Sequence, residues 1–192
     1  GNSNLIIPHH RAQTRFTQTS TVATYTDALS ANAADMTYQR VTQLAVNITP
    51  AVAGSKILIE VSANFCDTDS STNPESLVGT FFEQVGSGSH VDLSGQDSSS
   101  SSDTVKALMI SSTTRDTTHS GNTPQNIHVE GRHLATPTYS LGDTLTYSLG
   151  VGTCGAGSGV DVSVQLNKSD ASDAKFHKIE MTSLIKVTEI PQ

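Results

Sequence analysis

Three side chains between positions 128 and 133 are of the types that bind metal ions. His128 and Glu130 are two residues apart, so on a strand they would share one face of a sheet, and His133 would lie on the other. Cupin metal sites, which are also built on jelly-roll strands, need a His-x-His pair, a later Glu and another His, and the sequence lacks that spacing. We therefore expect no metal here and interpret these residues as a solvated or interface strand face.

The letters GVGTCG at 150–155 match the glycine pattern of dinucleotide-binding loops. Such a loop follows a strand and opens a helix, so that the pyrophosphate meets the helix N-terminus. Here Gly157 and Gly159 follow, and then another strand-like run. The pattern predicts a glycine-rich tip between two strands, and we expect no bound cofactor.

The segment Asp67–Glu75 concentrates oxygen-bearing side chains, which are the ligands that calcium prefers. It does not follow the EF-hand pattern, because Pro74 interrupts it and no Gly stands at the turn. We interpret it as a hydrophilic loop. Since no G-x-S-x-G elbow occurs either, we assign no catalytic residue and expect no enzyme.

The two cysteines, Cys66 and Cys154, have neither a CxxC nor a zinc-finger spacing. They are consistent with two thiols in a reducing compartment, or with one long-range disulfide if the protein works outside a cell.

The composition indicates one domain made of strands. The chain has 192 residues, of which 26 are Ser and 25 are Thr, and only 15% are charged. Ser and Thr are poor helix formers, while Thr is favoured in strands. The net charge of −7 argues against direct binding of nucleic acid. The sequence also lacks an apolar run of about 18 residues, which a membrane-spanning helix would need.

Apolar residues recur with a period of two in several runs, most clearly at 56–65 and 160–166. Eight to ten such runs, separated by polar or glycine-rich loops, predict an all-β protein. The expected fold is an antiparallel β-sandwich of jelly-roll type over residues 21–192. A helical turn could form only in the Ala-rich stretch 28–37.

Residues 1–20 are predicted to form an extended N-terminal arm. A short apolar anchor is followed by the only locally basic stretch of the chain. Because such a segment buries little on its own chain, we expect it to dock on a neighbouring molecule. Its candidate interface residues are Leu5, Ile6, Ile7, Pro8, His9, His10, Arg11 and Arg15.

The stretch 38–65 (YQRVTQLAVNITPAVAGSKILIEVSANF) resembles a module of tailed-bacteriophage virion proteins, common in marine phages, in which a Thr-rich strand ends in an ITP corner. Later parts, including VDVSVQLN at 160–167 and SLIKVTEI at 183–190, are similar to further strands of that module. The resemblance covers about residues 19–190. It implies a jelly-roll sandwich, often trimeric, displayed on the virion, and it supplies no catalytic residues.

From this resemblance we expect a non-enzymatic virion structural protein, assembled in the host cytoplasm. The leading hypothesis is a homotrimeric head decoration protein that binds the major capsid protein, or another virion protein, through its arm. An alternative is a fibre tip that binds a host glycan or receptor through its tyrosines and its Ser- and Gly-rich loops. A cupin-like metal enzyme and a single-jelly-roll capsid protein are weaker alternatives.

Overall fold

The computed structural model describes residues 13–25, 38–67, 76–95, 106–112, 126–154, 164–168 and 181–192. These residues form eleven strands and no helix. The strands are β1 (Thr14–Thr19), β2 (Ala23–Tyr25), β3 (Gln39–Ile48), β4 (Lys56–Asp67), β5 (Ser76–Val85), β6 (Val91–Asp92), β7 (Met109–Ser112), β8 (Asn126–Ala135), β9 (Leu145–Cys154), β10 (Val164–Leu166) and β11 (Ser183–Ile190). In this part of the chain no helix has the length and apolar character needed to cross a membrane. The stretch 28–37 lies outside the described residues.

The strands form two antiparallel sheets that share one hydrophobic core. The six-stranded sheet runs β1-β11-β4-β10-β2, with β8 on the other edge of β4. The five-stranded sheet runs β3-β9-β5-β6, with β7 also paired to β5. The predicted antiparallel sandwich is confirmed.

The strand order is that of a jelly roll. Without the short strands β2, β6 and β10, eight strands remain, and they can be numbered one to eight in chain order. One sheet then runs 1-8-3-6 (β1-β11-β4-β8) and the other 2-7-4-5 (β3-β9-β5-β7). Consecutive strands alternate between the two sheets except for four and five, which share a sheet, and the first and last strands are paired. This is the jelly-roll connectivity.

Period-two patterning places the core residues. In β4, one face buries Ile57, Ile59, Val61, Ala63 and Phe65. The intervening side chains of β4 point away from the core, so a one-residue shift in register would exchange the buried and exposed sets. β4 pairs with β11 along one edge and with β8 along the other, which makes it the central strand of its sheet.

The six-stranded sheet includes residues of the predicted arm. Strand β1 pairs antiparallel with β11 from Thr14↔Thr188 to Thr19↔Ser183. Residues 1–12 lie outside the described residues. Residues 14–19 of the predicted arm are therefore part of the sandwich.

Side-chain hydrogen bonds connect β1 to β3 of the opposite sheet. The Thr17 hydroxyl donates to the Ala45 carbonyl over 2.7 Å, and the Gln13 amide donates to the Thr49 carbonyl over 3.2 Å. These bonds close the sandwich along the lateral side formed by β1 and β3.

The opposite lateral side, formed by β7 and β8, is closed by Met109. A Cβ atom placed on Gly131 of β8 would lie 2.1 Å from Met109 Cγ, and one on Gly79 of β5 would lie 3.1 Å from Met109 Cε. Met109 therefore fills the space that two glycines leave open.

We predict that Gly131→Ala destabilises the fold by about 1–3 kcal/mol, because Met109 must leave its position in a packed core. Met109→Ala alone should also destabilise it, by about 2–5 kcal/mol, through the cavity it leaves. The double variant should be more stable than the sum of the two losses implies, since the new methyl group enters that cavity. Chemical denaturation of the four proteins checks this, and strict additivity would contradict it.

Candidate interface and buried polar sites

The structure describes only one of the arm's candidate interface residues. Leu5 to Arg11 lie outside the described residues, whereas Arg15 is exposed on β1. Its neighbour Phe16 is 65% exposed and stands opposite Lys186 of β11 on the outer face of the six-stranded sheet. This exposed aromatic side chain lies within the predicted arm of residues 1–20, and it extends the candidate interface onto this face.

The outer face of the six-stranded sheet carries a shallow groove of about 520 Å³ between β11, β4 and β8. Lys186 Nζ and Glu60 Oε2 form an ion pair across it at 2.6 Å. Glu130 and Arg132 of β8 also line it, and Leu184 adds an apolar wall. Because the groove carries charges of both signs beside apolar side chains, it suits contact with another protein surface better than binding of a small anion.

The predicted division of the three metal-type residues between two faces is confirmed. His128 and Glu130 are exposed on the outer face, whereas His133 is half-buried on the inner face, with its ring 6.5 Å from that of Phe81. Among the described residues, no cluster of three or more His, Cys, Asp or Glu side chains is placed to hold a metal ion.

His128 is oriented by its neighbours on β4. Its Nδ1 lies 2.9 Å from Asn64 Oδ1, and its Nε2 lies 3.4 Å from the Ser62 hydroxyl. The Ser62 hydroxyl, the His128 imidazole and the Asn64 amide thus follow one another as nucleophile, general base and orienting group do in catalytic triads. However, acyl transfer also needs free N–H donors for an oxyanion. β4 is paired along both edges at Ser62, so its backbone groups there are already part of the sheet. The geometry therefore indicates a fixed polar patch.

Two of the remaining sequence motifs are only partly described. Asp67 ends β4, and the rest of the acidic loop lies outside the described residues. Cys66 is buried in the six-stranded sheet, while Cys154 ends β9 in the five-stranded sheet, and its side chain is not among those described.

The glycines at 150 and 152 lie inside β9 and not in the predicted tip. A Cβ on Gly150 would lie 2.6 Å from the Phe82 ring and 2.8 Å from Thr80 Cγ2. Gly150 is therefore needed for close packing on the outer face of the five-stranded sheet. The motif residues up to Cys154 continue this strand.

The four tyrosines that the glycan-binding hypothesis invoked make internal hydrogen bonds. Tyr25 bonds to Gln43, Tyr38 donates to the Lys106 carbonyl (2.5 Å), Tyr139 to the Val52 carbonyl (2.5 Å) and Tyr147 to Glu83 (2.9 Å). Burial raises the pKa of Tyr25 to about 12. Burial and the adjacent Glu83 carboxylate also raise the pKa of Tyr147. The phenols of Tyr25 and Tyr147 therefore stay protonated at neutral pH, and all four tyrosines contribute hydrogen bonds to the fold.

A buried carboxylate organises the corner between β3 and β4, and sequence reasoning missed it. Glu189 of β11 is fully buried. Its carboxylate accepts hydrogen bonds from the Ala51 N–H at 3.0 Å, the Val52 N–H at 2.9 Å and the Ser55 hydroxyl at 2.9 Å. The signal was present in the sequence, because Glu189 follows Ile185 and Val187 in the apolar phase of the last strand. A carboxylate at such a position has to be satisfied internally.

A second buried polar group joins the strand segments at the other end of β11. Asn167 has a left-handed backbone (φ 57°), and its amide donates to the carbonyls of Thr19 and Thr21. The Ser183 hydroxyl donates to Asn167 Oδ1 over 2.6 Å and accepts from the Asn64 N–H. The Asn167 side chain thus links the end of β10 to β1, to the segment between β1 and β2, and to β11.

No protein-family model matches the chain, and no curated protein matches it. Among solved structures it is similar to the one titled "Structure of Eiger TNF from S. frugiperda", at 11% sequence identity and a TM-score of 0.32, over 85% of this chain and 96% of that chain. A similarity this low supports no conclusion about fold or function, so the fold assignment rests on the strand order.

We predict that Glu189→Gln lowers the free energy of unfolding by about 1–3 kcal/mol. The amide carries no negative charge to strengthen the three hydrogen bonds, and its NH2 group would replace the Oε2 atom that lies 3.1 Å from the Ala51 N–H. Glu60→Gln is the matched control. It removes an exposed ion pair and should change stability by less than about 1 kcal/mol. Urea denaturation measures both, and equal effects would contradict the structural role of Glu189.

A second prediction concerns His90, which contacts the Arg40 guanidinium. Burial, and then the positive charge of Arg40, lower the pKa of His90 below its ordinary value of 6.5. The unfolded chain therefore takes up a proton at higher pH than the folded chain. The contribution of the neutral His90 to the free energy of unfolding is complete above about pH 6.5, and it is lost as the pH falls through the lowered pKa. Thermal melts should show a smaller acid-induced drop in Tm for His90→Gln than for the unchanged protein. Identical pH profiles would contradict this.

Proposed function

We propose that this protein is a non-enzymatic structural component of a tailed-phage virion, displayed on the head as a decoration protein. The proposal includes assembly as a homotrimer and docking of the N-terminal arm on the major capsid protein or another virion protein. It is supported by the resemblance of residues 38–65 and of the later strands to virion modules, and by the jelly-roll strand order.

The observation that carries the proposal is the position of β1. The apolar and basic segment 5–11 leads into the first strand of the six-stranded sheet, at the lateral margin of the sandwich. β1 is held by six residue pairs to β11 and by side-chain bonds to β3. An arm joined to a strand fixed on both sheets can bind a neighbour without loosening the domain.

The energetics of such docking suit a repeated assembly. Full burial of an Ile or Leu side chain contributes about 1.5–3 kcal/mol relative to exposure. Leu5, Ile6 and Ile7 together would therefore provide several kcal/mol per copy, less the cost of ordering the arm. On a shell with many copies, each small contribution is repeated, so modest contacts stabilise the whole particle.

Deleting residues 1–12 tests the arm. Gln13 is kept, because its amide bonds to Thr49 and its carbonyl accepts the Glu189 N–H over 2.8 Å. We expect the truncated protein to melt at nearly the same temperature as the full chain and to lose binding to particles that lack the protein. Co-sedimentation with such particles measures this.

A full-length variant with Leu5→Ser, Ile6→Ser and Ile7→Ser is the matched control, since it keeps the chain length and the basic residues. It should show the same loss of binding if apolar contacts dominate. Normal decoration by both variants would contradict the arm's role. Strong binding of the isolated protein to host cells or glycans, with no binding to particles, would favour the fibre-tip alternative.

A further inference from the structure

Strand β8 has a hydrogen-bonding edge with no partner among the described residues. On one side β8 pairs with β4, from Asn126 opposite Cys66 to Ala135 opposite Ile57. In the part of the chain that the structure describes, no strand pairs with its other side. The opposite margin of the sandwich differs, because side-chain bonds join β1 to β3 there. A ten-residue edge of this kind is a template for pairing with another strand.

The exposed side chains of β8 carry charges of opposite sign on either side of Gly131. Glu130 and Arg132 are both exposed on the outer face, and neither forms an ion pair within the described residues. Their neighbours Glu60 and Lys186, in contrast, are paired with each other at 2.6 Å. Charged side chains on an edge strand oppose pairing with a second copy where like charges would stand opposite one another. This edge carries one of each sign.

We propose that two copies of this chain join edge to edge through β8, antiparallel and related by a two-fold axis at Gly131. In this register Glu130 stands opposite Arg132 of the second copy, and Arg132 opposite its Glu130. His128 then stands opposite Leu134, and the six-stranded sheets of the two copies become continuous.

Three features of the strand favour this register. A two-fold contact pairs residue i with j and j with i, so a strand with one acidic and one basic residue flanking the axis is self-complementary. Opposite charges directly across an antiparallel pair are stabilising, and like charges are not. The residue on the axis is a glycine whose inner side is filled by Met109, so the strand is supported there without a side chain at the contact.

Charge exchange tests the pairing in the full chain. Glu130→Arg alone and Arg132→Glu alone each place like charges opposite one another, and each should weaken self-association at least about tenfold. The double variant Glu130→Arg with Arg132→Glu restores opposite charges across the axis and should recover the association. Lys168→Glu, an exposed charge change away from β8, should leave it unchanged. Sedimentation equilibrium over a range of protein concentrations measures these effects.

The outcomes separate clearly. The contact is supported if the unchanged protein has the mass of two chains or of two joined trimers, and if this mass falls in the single variants and returns in the double variant. A mass of one or three chains at all concentrations, or single variants that associate normally, overturns it. So does a double variant that fails to recover. The chain lacking residues 1–12 should keep the same charge dependence. Loss of particle binding and loss of the β8 contact are therefore distinguishable, and either proposal can fail alone.

Discussion

The architecture depends on the last strand being held at both ends by buried polar groups. β11 has an inner face of Ser183, Ile185, Val187 and Glu189, all buried. The two middle residues supply apolar contact, and the two outer residues each satisfy backbone groups of other segments. Because an unsatisfied polar group in the core is costly, these bonds determine where β11 must lie. Slipping β11 by one residue would expose its apolar residues and leave both polar junctions unmade.

Each junction secures a place where the chain changes direction. Glu189 binds the segment between β3 and β4, where the chain passes from the five-stranded to the six-stranded sheet. At the opposite end, Asn167 and Ser183 join the end of the short strand β10 to β1 and β11. The two layers of the sandwich are therefore fixed by hydrogen bonds at the corners as well as by the shared core.

The proposed functions use surfaces that these constraints leave available. The lateral side at β1 and β3 is closed by hydrogen bonds and receives the arm, so it suits attachment to a different protein. Among the described residues, the side at β8 is closed from within by Met109, and its backbone edge suits a second copy of the same chain. A domain with a closed core and two different margins can attach to one neighbour and associate with another at the same time.

The sequence by itself determined the fold class and most of the strands, because period-two burial in segments such as 56–65 is a local property of the chain. It also placed His128 and His133 on opposite faces for the same reason. It did not reveal β1, since Thr14–Thr19 is mainly polar and its one large apolar residue, Phe16, points outward. Only the tertiary structure decided the partners of Glu189, the close packing that requires glycine at 131 and 150, and the hydrogen-bond partners of the tyrosines. Each of these depends on residues distant in the chain, and a local pattern carries no information about which distant groups will meet.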